Sequence, residues 1–365
     1  MTHVLRSFPC TRRREAKASL WRSREREPSA RSAKQRRTGS PLSRGRTGWA
    51  VVAAFTAALC ASPALAAEKL TYLLPAPPSL PAFAPWVLAK HLGYYSEAGY
   101  DVDFVVARGG VDVAKQIGVG NAPIGGAIGD TPIIVRGNGV PVKAVGLMGG
   151  GALTVVVGRK DRGIEKLEDL KGKKISVLSF QDTTYYALLG ALASKSITKN
   201  DVNAQAVGPA AVASLVVAGT VDACACTPDW EIDVKEGVKD TVSLPTKDYF
   251  ASMSQAILAS DKMIAERPDM VRAIVKATLK GMQYVMNDPA KAALTYVEAS
   301  PSFKGKEELM KKILANYTER TYKGQATLGA MDPQRLANLQ KFYKAQGFIE
   351  TELPVDQLYS NDFIK

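Results

Sequence analysis

Residues 86–141 constrain the fold more than any other stretch, because glycines and capping residues cut its apolar runs into pieces that alternate between helical and strand periodicity. WVLAKHLGYYSEAG sets Val87, Leu88, His91 and Leu92 at helical spacing ahead of Gly93 and Gly99. YDVDFVVARGG alternates as a half-buried strand does. VDVAKQIGVG then reads as a short helix and NAPIGGAIGD as a second strand. Asp130-Thr131-Pro132 reads as a helix start, since Asp or Thr caps free N–H groups and proline at the first helical position loses no hydrogen bond. Strands separated by helices of this length pair in parallel, with the crossover helices covering the sheet. Such sheets bind ligands beyond the carboxyl ends of their strands. Here those ends carry Arg108, Gly109 and Gly110 in one case, and Asp130 and Thr131 in the other, each ahead of a helix N-terminus with free N–H groups. The stretch is expected to form half of a ligand cleft.

The chain carries a net charge of +13, but residues 1–48 alone hold 14 Lys or Arg against three Glu, so the remainder is nearly neutral. The nucleic-acid partner that a basic chain invites therefore loses its support. Residues 49–59 (WAVVAAFTAAL) form an uncharged apolar run, followed by Pro63 and the small-residue pattern Ala64-Leu65-Ala66. That is the layout of a secretory signal cleaved near Ala66, and its apolar part is shorter than the ~20 residues a membrane span needs. Residues 1–67 are thus expected to be a basic leader and signal peptide, and the mature protein to reside in the periplasm. Cys10 and Cys60 leave with that segment. Cys224 and Cys226 would share one face of a strand, where a bridge is strained, and are expected as buried free thiols. His91 is the only histidine beyond the leader, which argues against a zinc site or a serine–histidine hydrolase. No metal and no cofactor is expected.

After the leader, residues 69–74 read as the first strand, running into a proline-rich loop over residues 75–85 that contains Phe83. Phe83 stands either against a ligand or as the anchor of that loop to the core. Residues 140–147 read as a strand leading toward a second lobe. There, KLEDLKGKKISV gives a turn and a strand, followed by Gln181, Asp182, Thr183, Thr184 and Tyr185 at the start of the helix YYALLGALASKS. Free N–H groups and polar side chains at this point suit an oxyanion or a polar ring substituent, and Asp182 reads first as a helix cap. The pattern repeats with a strand at 202–207, Gly208-Pro209 opening a helix, and a strand at 221–226 that ends at Thr227-Pro228-Asp229-Trp230. Trp230 either closes over a ligand or packs within the lobe. A loop is expected from there to a strand at 253–258, then a helical C-terminal third in which Val271, Ile274, Val275, Leu279, Met282 and Met286 form a core stripe.

AKHLGYYSEAGYDVDFV, ARGGVDVAKQIGVGNAPIGGA and GVPVKAV, followed in order by LEDLKGKKISV, TTYYALLGAL, GPAAVASLVVAGTVDA and PVDQLYSNDFI, resemble the solute-binding proteins of the nitrate, sulfonate and thiamine-pyrimidine family. The resemblance spans nearly all of the chain after the leader. It implies a two-lobed α/β fold of the type II periplasmic-binding-protein class, with mostly parallel sheets and a cleft between the lobes. Lobe 1 would take residues 68–155 and 253–365, lobe 2 residues 156–252, with hinges near residues 154–157 and 252–257. It also implies one small-molecule ligand, delivered by a monomer to the permease of an ABC importer at the inner membrane, with no nucleic-acid partner.

The expected ligand contacts are Phe83, Arg108, Gly109, Gly110, Asp130, Thr131, Gln181, Thr183, Thr184, Tyr185, Pro209 and Trp230. Asp130, Asp182 and Asp229 at three of the strand ends would repel a bare anion. The expected ligand therefore has a planar or apolar body, held by Phe83, Tyr185 and Trp230, and one polar or anionic end. One branch of the family resembles a thiamine-pyrimidine synthase that forms a lysine adduct with pyridoxal phosphate and consumes a histidine. Residues 75–85 hold no Lys or His and residues 253–258 no cysteine cluster, so the chain is expected not to be an enzyme. A sensor presenting its ligand to a membrane receptor is the remaining alternative.

Overall fold

The computed structural model describes residues 66–365; the basic leader, the signal peptide, Cys10 and Cys60 lie outside the described residues. The chain begins with β1 (Glu68–Leu74), α1 (Ala84–His91), α2 (Tyr94–Glu97), β2 (Tyr100–Val106), α3 (Gly110–Gly118), β3 (Ile124–Ile128), α4 (Thr131–Arg136) and β4 (Val142–Leu147). It then crosses to a second sheet through β5 (Val155–Arg159), β6 (Lys174–Val177), α5 (Thr183–Ala193), β7 (Asn203–Ala206), α6 (Val212–Val217), β8 (Ala223–Cys226), α7 (Pro228–Gly237) and β9 (Thr241–Pro245). It returns through β10 (Gln255–Ser260) and finishes in α8 (Asp261–Glu266), α9 (Pro268–Asn287), α10 (Pro289–Ala299), α11 (Glu307–Tyr317) and α12 (Pro333–Ala345). A π-helical turn over Thr318–Tyr322 extends α11.

Two five-stranded sheets result, ordered β2-β1-β3-β10-β4 and β7-β6-β8-β5-β9. The expectation of mostly parallel sheets needs correcting. β1 pairs in parallel with β2 and β3, and β6 with β7 and β8, but β10 runs antiparallel to β3 and β4, and β5 antiparallel to β8 and β9. The cause is topological: β5 and β10 are the first strands after each crossing, so they enter their sheets from the cleft side while the helix-linked strands run toward it. β9 replaces the expected loop. It is a short edge strand with half-buried residues and a terminal proline, and such a segment carries little alternation to read.

Each sheet is covered by apolar helices. On α9, Val271, Ile274, Val275, Leu279 and Met282 are buried as a stripe, and each such side chain contributes about 1.5–3 kcal/mol through burial. At Gly281 the α9 backbone approaches α1 so closely that a Cβ would strike the Pro85 carbonyl. The C-terminal segment also packs down, with Leu358 and Phe363 buried and Tyr359 bridging to Ala144 beside β4. Cys224 and Cys226 form a disulfide within β8, correcting the free thiols expected. Side chains two apart on a strand emerge on one face, and the Cα–Cα distance of 5.4 Å lies in the range a disulfide spans. Among the described residues no helix is long and apolar enough to cross a membrane.

Candidate functional site

The loops after β1, β3, β6 and β8 meet between the two sheets and enclose a cavity. Its walls are Pro75, Ala76, Leu80, Ala82 and Phe83 after β1, Ala127 and Ile128 at the end of β3, Leu178, Asp182, Thr183 and Thr184 after β6, and Thr227 and Trp230 after β8. Leu153 and Gln255 complete it. These last two come from the crossings: antiparallel β10 begins where parallel β3 ends, in register Gln255 to Ile128, so its first residue joins the strand-end loops. Free volume is about 30 Å³, room for roughly one water, so a ring-sized molecule enters only when the lobes part.

Phe83, Thr183, Thr184 and Trp230, named from the sequence, thus line one cavity. Phe83 also packs edge-on against Trp86 at 5.9 Å, so it serves the lobe 1 core as well. The N-termini of α5 and α7 point at the cavity, but each is already capped by a carboxylate. Asp182 accepts hydrogen bonds from the Thr184 N–H at 2.9 Å and the Thr184 hydroxyl at 2.5 Å. Asp229 accepts from the Thr227 hydroxyl at 2.5 Å and from the Tyr317 hydroxyl at 2.7 Å. Burial pushes both carboxyls up, while these hydrogen bonds pull the other way.

Gly109 and Gly110 lie elsewhere, at a contact between the lobes. The Gly110 N–H donates to Asp182 at 3.3 Å, the Val111 N–H to the Gln181 carbonyl at 3.0 Å, and the Ser179 hydroxyl to the Arg108 carbonyl at 2.6 Å. Gly109 has φ +128°, and a Cβ there would lie 2.7 Å from the Asp182 backbone. The Arg108 side chain is 75% exposed beside Asp112 and the Gln181 side chain is exposed, so neither reaches the cavity. Tyr185 leans on Phe180 and borders an outer groove instead. Pro209 is half-buried in a turn before α6, which starts later than expected, at Val212. Thr131 donates to the Ile128 carbonyl at 2.7 Å and is fully buried.

Asp130 is also fully buried, behind the cavity and not in its wall. It accepts a hydrogen bond from the Tyr343 hydroxyl at 2.5 Å, and its other oxygen has no partner. Burial raises its pKa to about 6, against the pull of Tyr343 and of the Arg335 charge. Arg335, on α12, ties the two crossings together. It donates to the carbonyls of Gly150 at 2.7 Å and Gly151 at 3.2 Å on the outward crossing, and to those of Ala251 at 3.4 Å and of Ser252 on the return. On the far side of the cleft, α11 reaches lobe 2: Asn316 donates to the Pro228 carbonyl at 3.0 Å, and Arg320 pairs with buried Glu231 at 3.0 Å. Burial would raise Glu231, but Lys235, Ser243 and Arg320 outweigh it and hold the carboxyl below its usual value.

Gln255, Leu153, Arg335 and Tyr343 were not singled out from the sequence. A reading restricted to the carboxyl ends of parallel strands passes over the first residues of antiparallel ones. Gln255 is the most informative of the four: it is 4% exposed, and its Oε1 is buried without a hydrogen-bond partner.

Two α/β lobes joined by two crossings around an enclosed cavity define the periplasmic-binding-protein fold. The alkanesulfonate-binding protein SsuA of Xanthomonas axonopodis pv. citri, solved bound to MOPS, has this fold with a TM-score of 0.64, at 18% identity over 80% of this chain and 98% of that one. The chain belongs to the NMT1/THI5-like family, whose model matches residues 80–292. It is similar to the riboflavin-binding protein RibY of Chloroflexus aurantiacus, 24% identical over 77% of this chain and 82% of that protein. It is also similar to the 4-amino-5-hydroxymethyl-2-methylpyrimidine phosphate synthase THI13 of Saccharomyces cerevisiae, 28% identical over 65% of this chain and 73% of the yeast protein. That relative overturns the expectation that the chain is not an enzyme: enzymes stand among its relatives, and missing motif residues do not remove catalysis from the family's range. No lysine or histidine lines the cavity, so the residues present do not fit a lysine adduct of pyridoxal phosphate there.

Proposed function

We propose that this protein captures a small organic molecule, a sulfonate, carboxylate or heterocycle, in the cleft between its lobes and delivers it from the periplasm to the permease of an ABC importer. The observation that carries the reading is the interlobe cavity, where Phe83 from lobe 1 and Trp230 from lobe 2 supply aromatic surface and Thr183, Thr184 and Gln255 supply polar groups. Mostly apolar walls with a few placed polar groups are what a small-molecule site requires. The SsuA fold likeness and the similarity to a riboflavin-binding protein support it. The contacts between Gly109–Val111 and residues 179–182 would form on closure and break on release, with Arg335 holding the crossings about which the lobes turn.

The test is thermal unfolding of the purified chain with a panel of sulfonates, aromatic carboxylates, riboflavin and pyrimidines. A molecule that binds only the folded form raises the melting temperature, and Trp230→Ala should abolish the rise. The similarity to yeast synthases favours a second reading, in which the cleft transforms what it binds. Mass spectrometry of the recovered molecule separates the two: unchanged ligand supports carriage, and a converted one supports catalysis.

A further inference from the structure

We infer that the molecule held in the cavity is an uncharged planar nitrogen heterocycle whose edge carries an N–H donor beside an acceptor, and that the Gln255 carboxamide reads that edge. The inference rests on the reading above that the ligand binds between the lobes, and it selects one class from those named there.

The first observation is Gln255 itself. Its Oε1 is buried in the cavity wall with no partner among the described residues. Leaving a buried polar atom unpaired costs about 1–3 kcal/mol, and buried polar atoms in native proteins are almost all paired, so a partner is expected from the ligand. A carboxamide offers an acceptor and a donor side by side. Its complement is a lactam or amino-imine edge, which offers the same two groups in reverse order. A sulfonate, nitrate or carboxylate has acceptors only and satisfies half of it.

The second observation is charge. No Lys, Arg or His lines the cavity, whereas Asp182 does. The α5 and α7 N-termini, the remaining source of positive potential, are capped by Asp182 and Asp229. An anion would therefore be stripped of water without a countercharge. An uncharged ring meets no such penalty, and its faces match Phe83 and Trp230, which approach from opposite lobes. Gln255 stands at the start of β10, next to the return crossing, so a ligand bonded to it would be anchored at the pivot while Trp230 moves.

Calorimetric titration of the purified chain tests this with uracil and riboflavin as uncharged probes, 1,3-dimethyluracil as the same ring without donors, and benzenesulfonate, MOPS and nitrate as anions. Expected are binding of at least one uncharged probe, at least tenfold weaker binding of 1,3-dimethyluracil than of uracil, and a loss of about tenfold or more in Gln255→Leu. The dimethyluracil comparison needs no variant, so misfolding of Gln255→Leu cannot mask the result. Tighter binding of an anion, or equal binding of uracil and its dimethyl form, overturns the inference; if Trp230→Ala still abolishes that binding, the cleft reading stands. Binding indifferent to Trp230→Ala, or no binding by any probe, brings down the cleft reading and this inference with it.

Discussion

Lobe 1 and lobe 2 meet the same cavity with different chemistry. Lobe 1 presents an apolar floor, Phe83, Ala127 and Ile128 among it, and a single polar side chain, Gln255. Lobe 2 presents Thr183, Thr184 and Thr227 at the starts of two helices, together with Trp230. The difference follows from strand direction. Lobe 2 reaches the cleft through helix N-termini, where capping hydroxyls and carboxylates are the residues that stabilise the backbone. Lobe 1 reaches it through a proline-rich loop, a glycine-rich strand end and the first residue of an antiparallel strand. The polar groups of lobe 2 are largely spent on its own helices, whereas the carboxamide of lobe 1 is not, so discrimination between ligands is assigned to lobe 1 and closure to lobe 2.

The largest break in this comparison is expected at the glycine where the lobes touch. Gly109 sits in a region of backbone space nearly restricted to glycine, and a side chain there would strike Asp182 of the other lobe. Gly109→Ala should weaken ligand binding by roughly ten- to a hundredfold, the equivalent of about 1–3 kcal/mol of strain. Solution scattering should show an expanded form that the ligand no longer compacts; an unchanged affinity would remove this contact from closure.

Next in size is the clamp across the crossings. Arg335→Ala leaves four carbonyls without their donor, and hydrogen bonds from charged groups contribute about 1.5–3 kcal/mol each in favourable cases. A loss of roughly 2–4 kcal/mol in denaturant unfolding is expected, with Arg335→Lys recovering only part because one ammonium cannot span both crossings. Full recovery by lysine would show that charge alone, without the guanidinium geometry, holds the crossings.

A smaller effect concerns pH, behind the lobe 1 wall. Burial raises the Asp130 carboxyl from 3.8 to about 6, so the folded state binds this proton more tightly than the unfolded chain does. Its contribution is most favourable below the unfolded value, declines as pH rises through the folded one, and is constant above, a change of about 3 kcal/mol. Asp130→Asn should flatten the stability profile between those two values by about that amount. Asp233, also raised to about 6 by burial and by the neighbouring Asp229, leaves its own slope in place. An identical profile in variant and parent would show that Asp130 keeps its charge when folded. The smallest effect is expected at Arg108, whose exposed pairing with Asp112 predicts a change within about 0.5 kcal/mol for Arg108→Ala and unaltered ligand affinity by calorimetry.

The α/β class was legible because alternating periodicity and capping residues are local signals, and residues 86–141 carry them in unbroken order. Strand direction was not, since an antiparallel strand such as β10 has the same apolar pattern as a parallel one when both faces are buried. That one ambiguity hid Gln255. Tyr343 and Arg335 were hidden differently: their partners lie far away in sequence, and on α12 they read as an ordinary core aromatic and a solvated charge. Phe83 and Trp230 were visible because an aromatic at a strand end is unusual, although nothing in their spacing tells core packing from ligand contact.

Amide hydrogen exchange with and without riboflavin or uracil tests most directly the claim that one molecule is held between the two lobes. The account predicts added protection at Gly110 and Val111 of lobe 1 and at Thr184 of lobe 2, together and at the same ligand concentration. Protection confined to one lobe, or appearing instead along the outer groove at Tyr185, Tyr186 and Phe348, would contradict it.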